Sequence, residues 1–547
     1  MLVTERTPLL DRVRQARRRI RTHRLSPGAV RWLASFAVIA AVLVVRNAYL
    51  FTTKIYPDSD FAADTVYVLQ AKRFDWLTGD YSRLRFYHPG PAFLYVEAWG
   101  DWLFHDVAHL VPTPWNGQLL AILLLNAALL AAALSVVTRD GGTPTAVACL
   151  GTVLAFVVLH PLTVNSNWPP YYFFAPTLLM LVSAAAVAAG RTSAVPLLCL
   201  GAGLCIHGHA EFLFFAPILV LFALAALFAP HWRHPWAFLR VSPGHWLGGL
   251  AITLALALPL VLYTILYWPG QWPPYLAYSR ANDLNNTLAQ GVGYMLRFWW
   301  PGEPARGAYR PEHVVVAVVG ILLFALALWL ARTCPHPGQR RFLLWSLAIV
   351  ALMTVLFTYY AWQDIDELFT AYEGYFYWSA PLLLLLTTVA GITARIPPAA
   401  WRRVIPVLAA MTAAFAVAAS IVPLHAEPDG PGQYSGDPGV PHDVALLAAA
   451  SHGRPVVLNI DPIPWGDATG LIAYGDQTGV RICVHALSFR IPKSICTSSE
   501  LRDGIAFELI GNEQKAHPSV PPLFVMPSSV VYLEARPHPA QHLASGS

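Results

Sequence analysis

The sequence predicts an α-helical polytopic membrane protein with about eleven transmembrane helices and a small C-terminal domain of mixed α/β structure outside the bilayer. Three observations carry that prediction. Only 12% of the 547 residues are charged, 56% are hydrophobic, and the mean hydropathy is +0.49. A water-facing protein carries about 25% charged residues, so much of this surface meets something other than water. Long apolar runs recur along the chain, and basic residues gather in every second gap between them.

The apolar segments fall at 32–50, 116–137, 145–161, 170–189, 193–207, 212–229, 246–267, 312–331, 342–359, 373–390 and 403–421. Hydrocarbon offers no partner to a backbone amide, so such segments are expected to be helices. Residues 1–31 hold nine arginines, Arg6 to Arg31, immediately before the first span, and read as a cytoplasmic anchor. With no basic surface domain elsewhere, nucleic acid is not an expected partner. The gaps after helices 2, 4, 6, 8 and 10 hold Arg139; Arg191; the string HWRHPWAFLR; Arg332, Arg340 and Arg341; and Arg395, Arg402 and Arg403. All five obey the positive-inside rule, which places the N-terminus in the cytoplasm and the opposite gaps outside a plasma membrane.

The outer gaps carry the acids, imidazoles and aromatics. The first external loop, 51–115, contains PDSDFAADTVYVLQAKRFDWLTGDYSRLRFYHPGP. Asp58 and Asp60 lie just past the first span, and an amphipathic helix over Phe61 to Phe74 follows, with Phe61, Val66, Leu69 and Phe74 apolar. Either aspartate serves as a helix cap, or a carboxylate is held at a membrane-surface cavity. There it would take a proton from an acceptor hydroxyl or help hold a divalent cation, Mg or Mn. His88 sits in a stiff His-Pro-Gly-Pro turn, suited to capping or to binding phosphate or sugar. The stretch with Glu97, Asp101 and Asp106 is expected along the interface.

His207, His209 and Glu211 alternate at a tight junction. Positions two apart on a helix do not share a face, so a shared role needs non-helical backbone at Gly208; cavity lining is the favoured reading over metal. Trp362, Asp364, Asp366, Glu367, Tyr372 and Glu373 lie in the aromatic-rich stretch 359–378, an interfacial belt or a cavity mouth. Arg280, Arg297, Arg306 and Arg310 depart from the inward bias, and external arginines suit a lipid phosphate.

After residue 421 a Pro/Gly-rich linker, 422–440, leads to a domain at 441–547. A helix at 441–451 and the runs RPVVLNI, LIAYGD, VRICVHA, IAFELI, PLFVMPS and VVYLEA, read as strands, compose it. Cys483 and Cys496 share this domain, and in an oxidising compartment they would pair.

A basic N-terminus, one span, then a long external loop with Asp58, Asp60 and His88-Pro89-Gly90-Pro91 resembles the GT-C class of polyprenyl-phosphate-sugar-dependent membrane glycosyltransferases. The order of elements matches over 1–421. The Ala/Arg-rich composition and the C-terminal domain resemble actinobacterial cell-envelope arabinofuranosyl- and mannosyltransferases, which draw on decaprenyl-phosphate donors. The adjacent Asp-Glu pair usual there is Asp58-Ser59-Asp60 here, and no WWDYG-type oligosaccharyltransferase signature occurs. The resemblance implies an inverting transfer of arabinofuranose or mannose to an envelope polysaccharide or glycolipid. Asp60 or Asp58 would act as base, and His88, Arg280, Arg297, His207, His209 and Glu211 would serve the donor. A transporter or flippase of lipid-linked saccharides is the main alternative, and a non-catalytic scaffold a lesser one. The transporter would place ionisable groups near the bilayer midplane, whereas these gather at one surface.

Overall fold

The computed structural model describes residues 26–82, 86–231, 239, 242–281, 286–299, 312–421, 437–460, 464–485, 491–511 and 521–533. Among them, ten helices are long and apolar enough to cross a membrane, and the shorter apolar helix Thr192–Gly208 joins them. Each of the eleven predicted segments falls on one of these helices. The first boundary moves: α1 spans Pro27–Arg46, with Pro27 in the first turn and Ser26 Oγ accepting from Ala29 N at 3.2 Å. Serine followed by proline is a strong helix start.

In chain order the remaining helices of nine residues or more in this part are α2 (Ser59–Lys72), α3 (Ala92–Gly100), α4 (Pro114–Val137), α5 (Gly142–Leu159), α6 (Phe174–Ala188), α7 (Val195–Gly208), α8 (Phe212–Phe228), α9 (Pro243–Leu266), α10 (Trp272–Ala281), α11 (Leu288–Arg297), α12 (Glu312–Arg332), α13 (Pro337–Gln363), α14 (Ser379–Thr393) and α15 (Pro398–Ile421). The window Pro169–Ala188 is 100% buried, whereas Pro243–Leu266 and Ala399–Ile421 are 6% buried. The first is therefore the protein-surrounded centre. The other two pack along one side and expose large apolar residues on the other, Leu250, Leu254 and Leu258 on the first and Val407, Met411 and Val417 on the second, a surface stable only in an apolar solvent.

One expectation for the first loop is overturned. α2 is not an amphipathic helix with a wet face, because every residue from Phe61 to Ala71 is buried. Its second face is covered by the C-terminal domain, which no periodicity within α2 could announce. Phe74, expected on the apolar face, lies beyond the helix at φ 56° and is 76% exposed. α3 runs into a π-helical turn, Asp101–Val107, and exposes Trp99, Trp102, Leu103, Val107 and Leu110. Such a strip suits the interface expected there.

The C-terminal domain comprises α16 (Val440–Ser451), β1 (Val456–Ile460), α17 (Trp465–Thr478), β2 (Ile482–Val484), α18 (Ser498–Asp503), β3 (Ile505–Gly511), β4 (Phe524–Val525) and β5 (Ser529–Leu533). The sheet order is β2-β1-β3-β5-β4. β1 pairs in parallel with β2 and β3, while β5 is antiparallel to β3 and β4. LIAYGD, expected as a strand, is the middle of α17. Ala468, Leu471 and Ile472 recur at helical spacing and are fully buried, and a six-residue apolar run read alone does not separate the two periods. Cys483 and Cys496 form a disulfide. The domain does not keep a core to itself: Ala62, Ala63, Val66 and Tyr67 of α2 and Leu94 of α3 belong to one apolar cluster with Val444, Leu458, Leu471 and Phe507.

Candidate active site

The two ends of the helix bundle differ in chemistry. At one end Arg191 Nη2 meets Asp140 Oδ2 at 2.6 Å, and Arg395 Nη2 donates to Leu330 O at 2.7 Å. At the other end, where α6, α8 and α14 are entered and α7 and α13 finish, the chain encloses a cavity of about 930 Å³. Its walls carry Asp60, Asp64, Asp80, Glu211, Asp364 and Glu373 with a set of aromatic rings, and no arginine or lysine among the described lining residues.

Asp60 stands in the first turn of α2. Its Oδ1 accepts from the Tyr81 hydroxyl at 2.5 Å and its Oδ2 from Trp168 Nε1 at 3.0 Å. Each oxygen thus has one donor and a further acceptor site. Asp64, one helical turn on, reaches the same cavity because residues four apart share a face. Tyr81 is placed by a short antiparallel pairing of Tyr81 with Tyr87, alongside His88 N donating to Asp80 O at 2.9 Å. Asp80 Oδ2 accepts from the Tyr172 hydroxyl at 2.8 Å, while Oδ1 has no partner.

Burial dominates the electrostatics. It pushes Asp64 well above the usual carboxylate range, with repulsion from Asp80 and Asp60 adding to it. Asp80 rises to about 6, through burial offset in part by the Tyr172 hydrogen bond. Glu97, behind the cavity, and Glu211 are likewise held well up, first by burial. Removal from water disfavours the charged form, so Asp64, Asp80, Glu97 and Glu211 all hold their protons more tightly than in water. Burial also pushes His88 well down, and His209 to about 3. The cavity is rich in carboxyl groups, and burial acts against the charged forms of Asp64, Asp80 and Glu211.

His88 and His209 stack at 4.2 Å. Ala210 N donates to His88 Nδ1 at 3.3 Å, so neutral His88 carries its proton on Nε2. α7 ends at Gly208, still helical, and the break expected there falls one residue later, at His209, which is extended (φ −150°, ψ 140°). His207 is nonetheless turned away: its Nδ1 accepts from Ala92 N at 3.2 Å and its Nε2 meets Leu256 O at 2.6 Å. It is a structural pin, and a Cβ on Gly90 would run into its ring.

No protein-family model and no curated protein sequence matches the chain. Among solved structures, ArnT from Cupriavidus metallidurans bound to undecaprenyl phosphate superposes with a TM-score of 0.58 at 13% identity, covering 91% of this chain and 97% of that one. The fold is GT-C-like.

Within this GT-C-like frame the remaining expected residues divide. Asp364, Tyr372 and Glu373 line the cavity; Trp362, Asp366 and Glu367 do not. Asp58 parts from Asp60: it occupies the N-cap position of α2 without a side-chain cap bond. Burial, then repulsion from Asp467, pushes it to about 6. Arg297 does not reach the cavity; its Nη1 donates to Leu368 O at 2.8 Å and its guanidinium lies 5.4 Å from the Tyr294 ring centre. The side chain of Arg280, and all of Arg306 and Arg310, lie outside the described residues. Sequence reasoning missed Asp64, Asp80, Tyr81 and Trp168. The four-residue offset from Asp60 was a usable signal for the first; the others needed the folded loop.

A candidate divalent-cation cluster exists at Asp101, His105 and Asp106, whose ligand atoms lie within 4.8 Å of one another. Lys72 Nζ lies 2.8 Å from Asp101 and 2.7 Å from Asp106, so an ammonium already balances these carboxylates. The cluster includes neither Asp58 nor Asp60. The fit to a catalytic cation is poor, and no step is routed through one.

Proposed function

We propose that the protein is an inverting glycosyltransferase moving arabinofuranose or mannose from a decaprenyl-phosphate-type donor to an envelope glycan or glycolipid at the extracytoplasmic membrane face, with Asp60 as base. The observation that carries this reading is a carboxylate fixed by two donors in a ring-lined cavity at the end of a GT-C-like bundle. The likeness to an undecaprenyl-phosphate-bound structure supports a prenyl-phosphate donor. In the reaction an acceptor hydroxyl oxygen bonds to the anomeric carbon as the carbon–oxygen bond to phosphate breaks. The hydroxyl proton passes to Asp60 and then to water, and the prenyl phosphate departs with the bonding pair. His88 Nε2–H suits a phosphate or sugar oxygen. Arg280, on the same helix as the cavity residue Tyr275, is proposed for the phosphate; Arg297, bound to Leu368 O, is not. The N-terminus is assigned to the cytoplasm and the C-terminal domain to the outside on the arginine bias.

The test uses purified full-length protein with decaprenyl-phosphate-linked arabinofuranose or mannose and an envelope glycolipid acceptor, following prenyl-phosphate release. Asp60→Asn is expected to lower kcat by about 100-fold or more, the scale of a lost general base. Transfer at the wild-type rate overturns the assignment.

A further inference from the structure

α2 leaves Pro57–Asp58 through a residue in an unusual backbone state. Ser59 has φ 47°, the left-handed region that a non-glycine residue occupies only when its surroundings impose it. Asp60 is the next residue, so the torsion at Ser59 sets where that carboxylate points. Contacts to that residue come from 410 positions further along the chain. The Thr469 hydroxyl of α17 lies 3.1 Å from Ser59 O and shares its one proton between that carbonyl and Gly466 O at 2.8 Å. Gly466 and Gly470 let α17 approach: a Cβ on the first would lie 2.6 Å from Ser59 Oγ, and on the second 3.2 Å from Pro57 O. Trp465, at the start of the same helix, packs on the Tyr81 ring at 5.8 Å, and Tyr81 is the Oδ1 partner of Asp60. The far end of α2 is held too. Lys493 Nζ reaches Gln70 Oε1 and Asp75 Oδ2, each at 2.5 Å, from the segment that the Cys483–Cys496 disulfide ties to β2.

We infer that the C-terminal domain is a positioning element of the active site: α17, through Thr469 and Trp465, holds Ser59 and Tyr81 so that Asp60 faces the cavity. The inference rests on the reading of Asp60 as the reacting carboxylate. It makes the domain part of the catalytic geometry, distinct from a module that captures acceptor glycan. Neither Thr469 nor Trp465 lines the cavity, so both are positioning residues.

The test is a set of full-length variants in the prenyl-phosphate-release assay: Trp465→Ala, Thr469→Val, the conservative Trp465→Phe and Thr469→Ser, and Trp465→Ala combined with Tyr81→Phe. A carboxylate misplaced by an ångström costs about 10- to 100-fold. Trp465→Ala and Thr469→Val are therefore expected to lower kcat by about tenfold with KM little changed, and the conservative variants to restore it. The double variant should lose less than the product of its single losses, because both act through one bond. Should Trp465→Ala fail to fold, Thr469→Val, a near-isosteric change, carries the test. Two results overturn the inference: a kcat per folded molecule within about twofold of wild type, or a change confined to KM. Either can occur while Asp60→Asn still abolishes transfer, so the inference can fail with the proposed function intact. Full activity of Asp60→Asn would remove both.

Discussion

The two ends of the bundle use polar groups in opposite ways. At the arginine end two guanidiniums are settled locally: Arg191 on Asp140, Arg395 on the Leu330 carbonyl. At the cavity end polar groups are left poised, with Asp80 Oδ1 and Glu211 Oε2 buried without partners and Asp60 offering an acceptor site on each oxygen. A buried polar atom without a partner costs stability. Unpartnered buried atoms occur elsewhere too, Gln339 Oε1 among them, so the contrast rests on carboxyl groups that face the cavity at one end and guanidiniums bonded to their neighbours at the other.

That contrast can be broken at several places. The largest effect is expected at Asp60, where the asparagine variant loses transfer by about two orders of magnitude or more while its thermal midpoint stays near wild type. Removing the disulfide with paired Cys483→Ser and Cys496→Ser changes should destabilise the C-terminal domain by about 2–3 kcal/mol, as expected for a loop of this length; denaturant titration reads it. Trp168→Phe deletes one donor to Asp60, and kcat should fall about tenfold, the worth of a hydrogen bond to a charged group. Arg191→Ala, at the opposite end, should leave prenyl-phosphate release unchanged, while the loss of its bonds to Asp140 and Val136 O and of its packing on Phe342 should cost stability by about 1–3 kcal/mol.

Asp58 sharpens the comparison within the cavity end itself. Its folded pKa, pushed to about 6 from the ordinary 3.8, exceeds the unfolded value. The folded protein therefore binds this proton more tightly, and Asp58's contribution to stability declines as pH rises from about 4 to about 6. Above that range the ionised group is a standing penalty. Asp58→Asn should raise the thermal midpoint at pH 7.5 and leave it unchanged at pH 4, with transfer retained. Two aspartates two residues apart would then separate into a reacting group and a strained junction.

The membrane architecture was legible because lipid leaves a one-dimensional record: apolar length and alternating arginines need no tertiary knowledge. The loop Asp60, His88, His209, Glu211 and the 359–378 acids were also visible, since polar residues at span ends stand out against apolar neighbours. What was hidden depended on contacts between distant segments. The wet face predicted for α2 is dry because α17 lies on it. LIAYGD is helical because its flanks extend the pattern. His207 was inseparable from His209 in the string, and only the helix end at Gly208 sends them to different tasks. Nothing in the sequence singles out Trp168, and only the fold brings its indole nitrogen to Asp60.

The most direct measurement is a cryo-EM map of the full-length protein with a non-cleavable phosphonate analogue of decaprenyl-phosphate-linked arabinofuranose. The account predicts the sugar among Trp168, His88 and Tyr372, with Asp60 on the acceptor side and room for a hydroxyl about 3–3.5 Å from both the carboxylate and the anomeric carbon. A sugar seated at the arginine end, or one in the cavity turned so that Asp60 faces only the phosphate, would contradict it.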